Sequence, residues 1–234
     1  MSRDFDDIVA GLSNFDGHEA ELTGPILETI PVTGVSIATL GELLGSETVS
    51  ASDLQVARLD ELQFDLNEGP CWDALAEMRP MLEPDVRMQP GGRWPAFSEA
   101  LQTENVGAIF AFPMTVGTLR VGAVDLYNTD PGELSPLFVA QATELTAALS
   151  RYVLRRALRQ AGSPDAEGTG HARRTIHQAT GFVIAQLGVS ADDAYLLLQG
   201  QAFAEGRSMS ELAADIIEHR FRFVVDQNGI EELS

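Results

Sequence analysis

Between residues 173 and 223 (RRTIHQATGFVIAQLGVSADDAYLLLQGQAFAEGRSMSELAADIIEHRFRF) apolar side chains recur every three or four positions, and two breaks cut the pattern into three helices. Ile176, Thr180, Val183, Ile184 and Leu187 share one side of the first. Gly188 suits the left-handed residue that ends a helix, with Val189 as its hydrophobic cover. Ser190 then reads as an N-cap, and Asp193 three positions on adds a carboxylate at the positive end of a second helix. This helix is expected to run to about Glu205 and to bury Ala194, Leu197, Leu198 and Ala202, with Gly206 stopping it. Ser208-Met209-Ser210-Glu211 is a fuller capping box, opening a third helix whose inner face is Met209, Leu212, Ala213, Ile216 and Ile217. Caps of this kind contribute roughly 1 kcal/mol each.

Upstream the period changes several times. Residues 5–12 read as a short helix and 19–30 as a second, interrupted near Gly24-Pro25. The β-branched runs 32–40 and 47–51 predict a hairpin. A helix follows over 52–64; Asn67-Glu68-Gly69-Pro70 breaks it, and Pro70 suits the first turn of the next. Residues 81–86 form a short strand and 95–103 a helix. The clearest hairpin is 107–115 with 119–127, turned at Val116-Gly117, where Pro113 argues for an edge or a bulge. From Leu134 to about Gln160 runs a long helical pattern through Phe138, Ala142, Leu145, Leu149, Tyr152, Val153 and Leu158, and its arginine-rich end is too polar on one side for full burial. The composition of 161–170 is that of a linker, and 225–234 reads as a frayed tail. These elements predict an α+β fold: an antiparallel sheet flanked by helices over 1–160, then a three-helix unit over 171–224.

The net charge of −20 argues against a nucleic-acid binder until its distribution is seen. Residues 1–147 hold 6 Arg against 24 acids, whereas residues 148–234 hold 9 Arg against 11 acids, so the acidity belongs to the front of the chain. Every basic residue is Arg, which is compatible with bidentate contacts to phosphate or carboxylate. There is no run of about eighteen apolar residues and no basic leader before an apolar core, so neither a membrane span nor a secretory signal is expected, and the cytoplasm is the expected location.

The lone cysteine, Cys71, excludes an intrachain disulfide and any all-cysteine metal site. In the first turn of a helix its thiol suits a redox sensor, but amid Trp72, Ala74 and Leu75 the favoured reading is a small buried hydrophobe. Cys71, Trp72, Trp94, Phe112 and Tyr127 are candidates for lining a sensor pocket, against the alternative that the aromatics are core. His18, His171, His177 and His219 show no metal-ligand spacing. Phosphate-loop, nucleophile-elbow and dinucleotide signatures are lacking, no cofactor is expected, and an enzyme is disfavoured.

Residues 173–223 resemble an ANTAR domain, the RNA-binding module of transcription antitermination regulators, through Ile176, Ala179-Thr180-Gly181, Ala194, Leu197, the Ala202 region, Arg207 and Leu212-Ala213. Residues from about 30 to 158 resemble a GAF sensor domain, through LDELQFDLNEGPC at 59–71, RWPAF at 93–97 and GAVDLY ending at Tyr127. The resemblance implies a cytoplasmic regulator that binds hairpins in mRNA leaders, its sensor domain answering a small-molecule ligand, a redox change or a partner. On that reading Gln178, Thr180 and Gln199 contact bases, Gly181 lets a backbone approach, and Arg173, Arg174, His177 and Arg207 contact phosphate. Many ANTAR domains carry basic residues where this chain has Thr180 and Gln199, so a single unit is expected to bind weakly. A homodimer through the 134–160 helix, along Tyr152, Val153 and Leu158, would present two units. A DNA-binding regulator and a protein-interaction module remain as alternatives.

Overall fold

The computed structural model describes residues 4–41, 44–88, 92–161, 171–226 and 229–233, with side chains described over 4–41, 44–88, 92–159 and 175–223. The chain divides into two compact units, Met1–Ala166 and Glu167–Ser234.

In the first unit, β1 (Gly34–Thr39), β2 (Glu47–Ala51), β3 (Met81–Glu83), β4 (Ala108–Val116) and β5 (Leu119–Asn128) form a five-stranded sheet in the order β2-β1-β5-β4-β3. Every neighbouring pair is antiparallel. Both predicted hairpins therefore form, and β5 brings them together by pairing with β1, Val35 against Leu126 and Ile37 against Val124. Successive side chains alternate between the two faces. One face carries Val35, Ile37, Val49, Phe110, Phe112, Val124 and Leu126 into a core shared with α1 (Phe5–Ser13), α2 (Gly24–Thr29) and α6 (Pro136–Ala161). The other carries Ile109, Ala111 and Tyr127 against α3 (Leu54–Leu66), α4 (Pro70–Glu77) and α5 (Pro95–Ala100). Burying each of Phe110 and Phe112 contributes roughly 1.5–3 kcal/mol.

Proline in β4 is tolerated because β3 is short. Its pairing covers only Ile109, Phe110 and Ala111, so Pro113 lies past its end, opposite Ala123 of β5, and the register shifts between Met114 and Thr115. The region 19–30 divides into a 3-10 turn, Glu19–Glu21, and a helix that starts rather than breaks at Gly24-Pro25, because proline fits a first helical turn.

Helix α6 corrects one expectation and bears out another, since Arg151, Arg155 and Arg159 leave one side of its end exposed. Tyr152 and Val153 are buried in the unit's own core, whereas Leu158 is 62% exposed, so these residues do not form one free stripe for a partner. Arg156, in the arginine-rich end, is buried as well. Its guanidinium pairs with Glu19 and, at 3.2 Å, with Glu47, which joins α6 to the 3-10 turn and to β2. Burial raises the Glu47 carboxyl above the usual range, against the pull of Arg156.

The second unit holds the three predicted helices, α7 (His171–Leu187), α8 (Ala191–Glu205) and α9 (Met209–Ile217). The caps are those the spacing implied. Ser190 Oγ accepts from the Asp193 amide at 3.1 Å, and Ser208 and Glu211 close a reciprocal box at 3.2 and 3.0 Å. Gly188 and Gly206 take φ of +68° and +65°. Ala179, Val183, Ala194, Leu198, Ala202, Met209, Leu212, Ala213 and Ile216 form the core, closed by Phe221 and Phe223. The expected frayed tail is instead a hairpin of β6 (Arg222–Asp226) and β7 (Gly229–Leu233), with Val225 opposite Ile230. The β-branched Val224-Val225 and the glycine at 229 are the local reason, and Phe223 anchors the hairpin to the helices. Most of the proposed linker, 162–170, lies outside the described residues.

Candidate functional site

The face of the sheet turned toward α3 and α4 is not filled by hydrocarbon alone. Helix α3 is capped by Asp53, whose carboxylate accepts from the Val56 amide, and the helix turns Val56, Leu59, Asp60 and Gln63 inward. Asp60 is 1% exposed and Gln63 fully enclosed. Asp60 Oδ1 accepts from Ser36 Oγ at 2.6 Å and Tyr127 Oη at 3.1 Å, and its Oδ2 accepts from Thr48 Oγ1 at 3.0 Å. Gln63 Nε2 donates to Asp125 Oδ2 at 2.6 Å and to Tyr127 Oη at 3.2 Å. Asp125 Oδ2 lies 3.2 Å from the same phenol oxygen, while its Oδ1 is buried with no partner.

This arrangement constrains where a proton sits. The phenol has one proton and two carboxyls within reach, so it can donate to only one of them, and the other contact is attractive when that carboxyl is itself protonated. A charged carboxylate with one bare buried oxygen is costly, whereas a neutral one tolerates it. Burial first, and then the charge of Asp60, pushes the Asp125 carboxyl up to about 8. Asp60 is raised less, to about 6, by burial offset by its three hydroxyl donors. The group is a relay of two carboxyls through one phenol.

Around it the segment Asn67-Glu68-Gly69-Pro70-Cys71 does structural work residue by residue. Asn67 ends α3 in the left-handed conformation. Glu68 reaches across to accept from the amides of Ala96 and Phe97 at 3.0 and 3.1 Å, which caps α5. Gly69 has φ +128°, and a Cβ there would sit 2.4 Å from Gln63 Oε1. That oxygen accepts from the Cys71 amide at 3.0 Å.

The five residues expected to line a sensor pocket do not share one. Phe112 lies in the core on the opposite face of the sheet from Tyr127, because residues an odd number apart along a paired register face opposite ways. Cys71 is 2% exposed, and burial followed by the charges of Asp125 and Asp60 pushes its thiol well up, which disfavours the thiolate a redox sensor needs. Trp72 is half-buried and donates to the Gln63 carbonyl at 2.7 Å. Trp94 donates to Asp73 at 2.9 Å and lines a crevice of only about 10 Å³ with Val86 and Phe97. Tyr127 alone belongs to the polar relay.

In the three-helix unit, Gln178, Gly181, Phe182 and Ala185 of α7 are exposed and, with Ile217 of α9, border an open depression of about 410 Å³. His219 stands edge-on to Phe182 at 5.6 Å. A Cβ on Gly181 would meet nothing within 4 Å, so this glycine does not serve helix packing. His177 is exposed and Gln199 half-exposed. Two other expected contacts are otherwise occupied. Thr180 is 8% exposed and donates its hydroxyl to the Ile176 carbonyl at 2.8 Å, as a buried threonine does inside a helix. Arg207 pairs with Asp215 and, at 3.1 Å, with Glu205, which joins the end of α8 to α9. The side chains of Arg173 and Arg174 lie outside the described residues.

With this geometry in place, comparison with known proteins decides the second unit. Residues 165–217 match the ANTAR domain family. The first unit has the GAF fold. It is similar to the GAF domain of the phosphoenolpyruvate-protein phosphotransferase from Acinetobacter, at 14% identity over 69% of this chain and 95% of that one, with a TM-score of 0.52. The corresponding domain from Coxiella burnetii is similar at 13% identity over 67% and 94%, with a TM-score of 0.53. Identity this low establishes the fold and nothing about ligand. No protein of curated function matches the chain.

The chain thus joins a GAF-like unit to an ANTAR domain. What the residue patterns missed in the GAF-like unit was the relay, although two signs were present. Asp125 interrupts the apolar run Val121–Leu126, and Asp60 and Gln63 fall on the same helical face as Val56 and Leu59. In the ANTAR domain one of the cations expected to meet phosphate, Arg207, is ion-paired with Glu205 and Asp215. Among the described residues no group of three or more His, Cys, Asp and Glu side chains could hold a metal ion, and no single helix is long and apolar enough to cross a membrane.

Proposed function

We propose that this chain is a signal-responsive RNA-binding regulator of transcription antitermination, in which the GAF-like unit controls binding of the ANTAR domain to hairpins in mRNA leaders. The match over 165–217 carries this reading. The open α7 surface around Gln178, Gly181 and Phe182 supports it, since an unpaired base can stack on the exposed ring and a sugar-phosphate backbone can approach the bare glycine. A small-molecule ligand, a redox change or a partner supplies the input to the GAF-like unit. The GAF-like unit serves as a sensor and not as an enzyme, a reading supported by its buried carboxyls being engaged through Tyr127 and by neighbouring hydroxyls. The protein works in the cytoplasm, where nascent transcripts are, as a homodimer that presents two ANTAR domains to successive hairpins.

Fluorescence anisotropy of a labelled two-hairpin leader RNA tests this. Saturable binding that weakens with salt, exceeds binding to duplex DNA of the same sequence, and falls about tenfold or more in Gly181→Gln is the expected result. Equal binding to the duplex points instead to a DNA-binding regulator. Absence of binding to either points to a protein-interaction module, a reading that the ion-paired state of Arg207 and Arg220 favours.

A further inference from the structure

Helix α6 buries most of its circumference in the GAF-like unit, and the arc left over has a composition of its own. Leu137, Ala140, Thr143, Glu144, Ala147, Arg151, Arg155 and Leu158 are exposed. Leu137 and Leu158, near the two ends, are 64% and 62% exposed, and Leu154 is half-buried at the edge of the arc. The positions 137, 140, 144, 147, 151, 154 and 158 alternate steps of three and four, the spacing of a seam that faces one partner helix along its whole length.

We propose that this seam is a dimer interface in which α6 packs antiparallel against α6 of a second copy, with the two-fold axis beside Ala147. Charge selects the occupant and its direction. Glu144 and Arg151 lie one turn to either side of Ala147, so an antiparallel second copy sets each Glu144 opposite an Arg151. The same operation sets Leu137 of each copy over Leu158 of the other, sealing both ends with apolar contact. A parallel pair would stack Glu144 on Glu144 and Arg151 on Arg151. Ala147 at the axis is small enough for two helices to approach closely. Thr143 is spent on its own helix, donating to the Val139 carbonyl at 2.8 Å, and Arg155 is held by the Ser13 carbonyl at 2.6 Å, so neither opposes the contact. The seam differs from the stripe through Tyr152 and Val153 that periodicity alone suggests, since those two residues face the unit's own core. This inference deepens the homodimer of the proposed function by naming its surface and direction.

Cysteine pairing in the full-length chain tests it without RNA, so its outcome is separate from that of RNA binding. The one native cysteine, Cys71, is buried and stays out of the reaction. Leu137 and Leu158 lie about 31 Å apart along the helix, at 1.5 Å per residue. Mixing Leu137→Cys with Leu158→Cys chains under mild oxidation is expected to give a disulfide-linked heterodimer, while neither variant links to itself. Glu144→Arg is expected to weaken association about tenfold, two exposed pairs being lost by symmetry, and Glu144→Arg with Arg151→Glu is expected to restore it. Self-linking of Leu137→Cys overturns the antiparallel direction. A monomer by light scattering, or a dimer that shows neither the mixed disulfide nor the charge rescue, overturns the surface. A dimer with no affinity for hairpins would leave this inference intact and remove the RNA reading.

Discussion

Asp60 and Asp125 approach the same phenol oxygen of Tyr127, at 3.1 and 3.2 Å, in the interior of the GAF-like unit. Two carboxyls so placed cannot both be charged at low cost, and the bare Oδ1 of Asp125 marks it as the one that keeps its proton. The folded-state carboxyl of Asp125 lies near 8, above its ordinary value of 3.8. A group raised in the folded state contributes stability that is complete below its unfolded value and is lost as pH rises through the folded one. The GAF-like unit is therefore expected to lose stability, on the order of a few kcal/mol, between about pH 4 and pH 8. Asp125→Asn is expected to flatten that slope. Urea unfolding across the range, followed by tryptophan fluorescence, measures it, and an unchanged slope would falsify the assignment of the proton.

Gly69 is expected to resist substitution. Its φ of +128° excludes ordinary side chains, and a new Cβ would displace the Gln63 amide that holds both Cys71 and Asp125. Gly69→Ala should cost about 2 kcal/mol or more. Chemical denaturation of the wild type and the variant gives the difference.

Arg156 is a buried cation set between Glu19 and Glu47. Arg156→Leu leaves two partly exposed carboxylates facing a buried apolar side chain, and the loss is expected to reach about 3 kcal/mol. Replacing Glu19 and Glu47 by Gln in the same background should recover part of it, because the stranded charges are then gone. Thermal unfolding of the three proteins distinguishes lost attraction from stranded charge.

Gly181 separates folding from binding. With open space around its Cα, Gly181→Ala should keep the ANTAR domain folded and add about 0.5–1 kcal/mol of helix stability. Affinity for hairpin RNA should nonetheless fall, as the backbone contact is obstructed. Circular dichroism melts and anisotropy titrations on the same preparation read the two effects, and a destabilised variant would contradict the exposure of this glycine.

Ser208→Ala removes the hydroxyl that accepts from the Glu211 amide and opens the capping box. The expected loss is about 1 kcal/mol, confined to the ANTAR domain. Hydrogen exchange should show faster opening of α9 and unchanged protection in the sheet.

Much of this architecture follows from local chemistry. The three helices over 171–217, their serine caps, the glycines that stop them and the two hairpins of the sheet are each specified within a few residues, where side-chain period and backbone conformation act directly. The terminal hairpin is equally local, with strands as short as β2.

The residues that matter for sensing and assembly depend on contacts between distant segments. Asp125 and Tyr127 share a face of β5 by strand alternation alone, but Asp60 stands 67 positions from Tyr127, and only the seating of α3 on the α4-side face of the sheet brings it to the phenol. Phe112 parts company with Tyr127 only once the register of β4 on β5 is set. Arg207 looks like a surface cation until the third helix presents Asp215 to it. On α6, periodicity shows apolar residues nearly all round, and it is the packing of α1 and the sheet that takes Tyr152 and Val153 and leaves Leu137, Ala147 and Leu158 outside. The sequence by itself thus determined which helices, strands and caps exist, because those are set by neighbours along the chain. The tertiary structure decided which side chains are spent on the protein's own interior and which remain for a partner, because burial depends on every element at once.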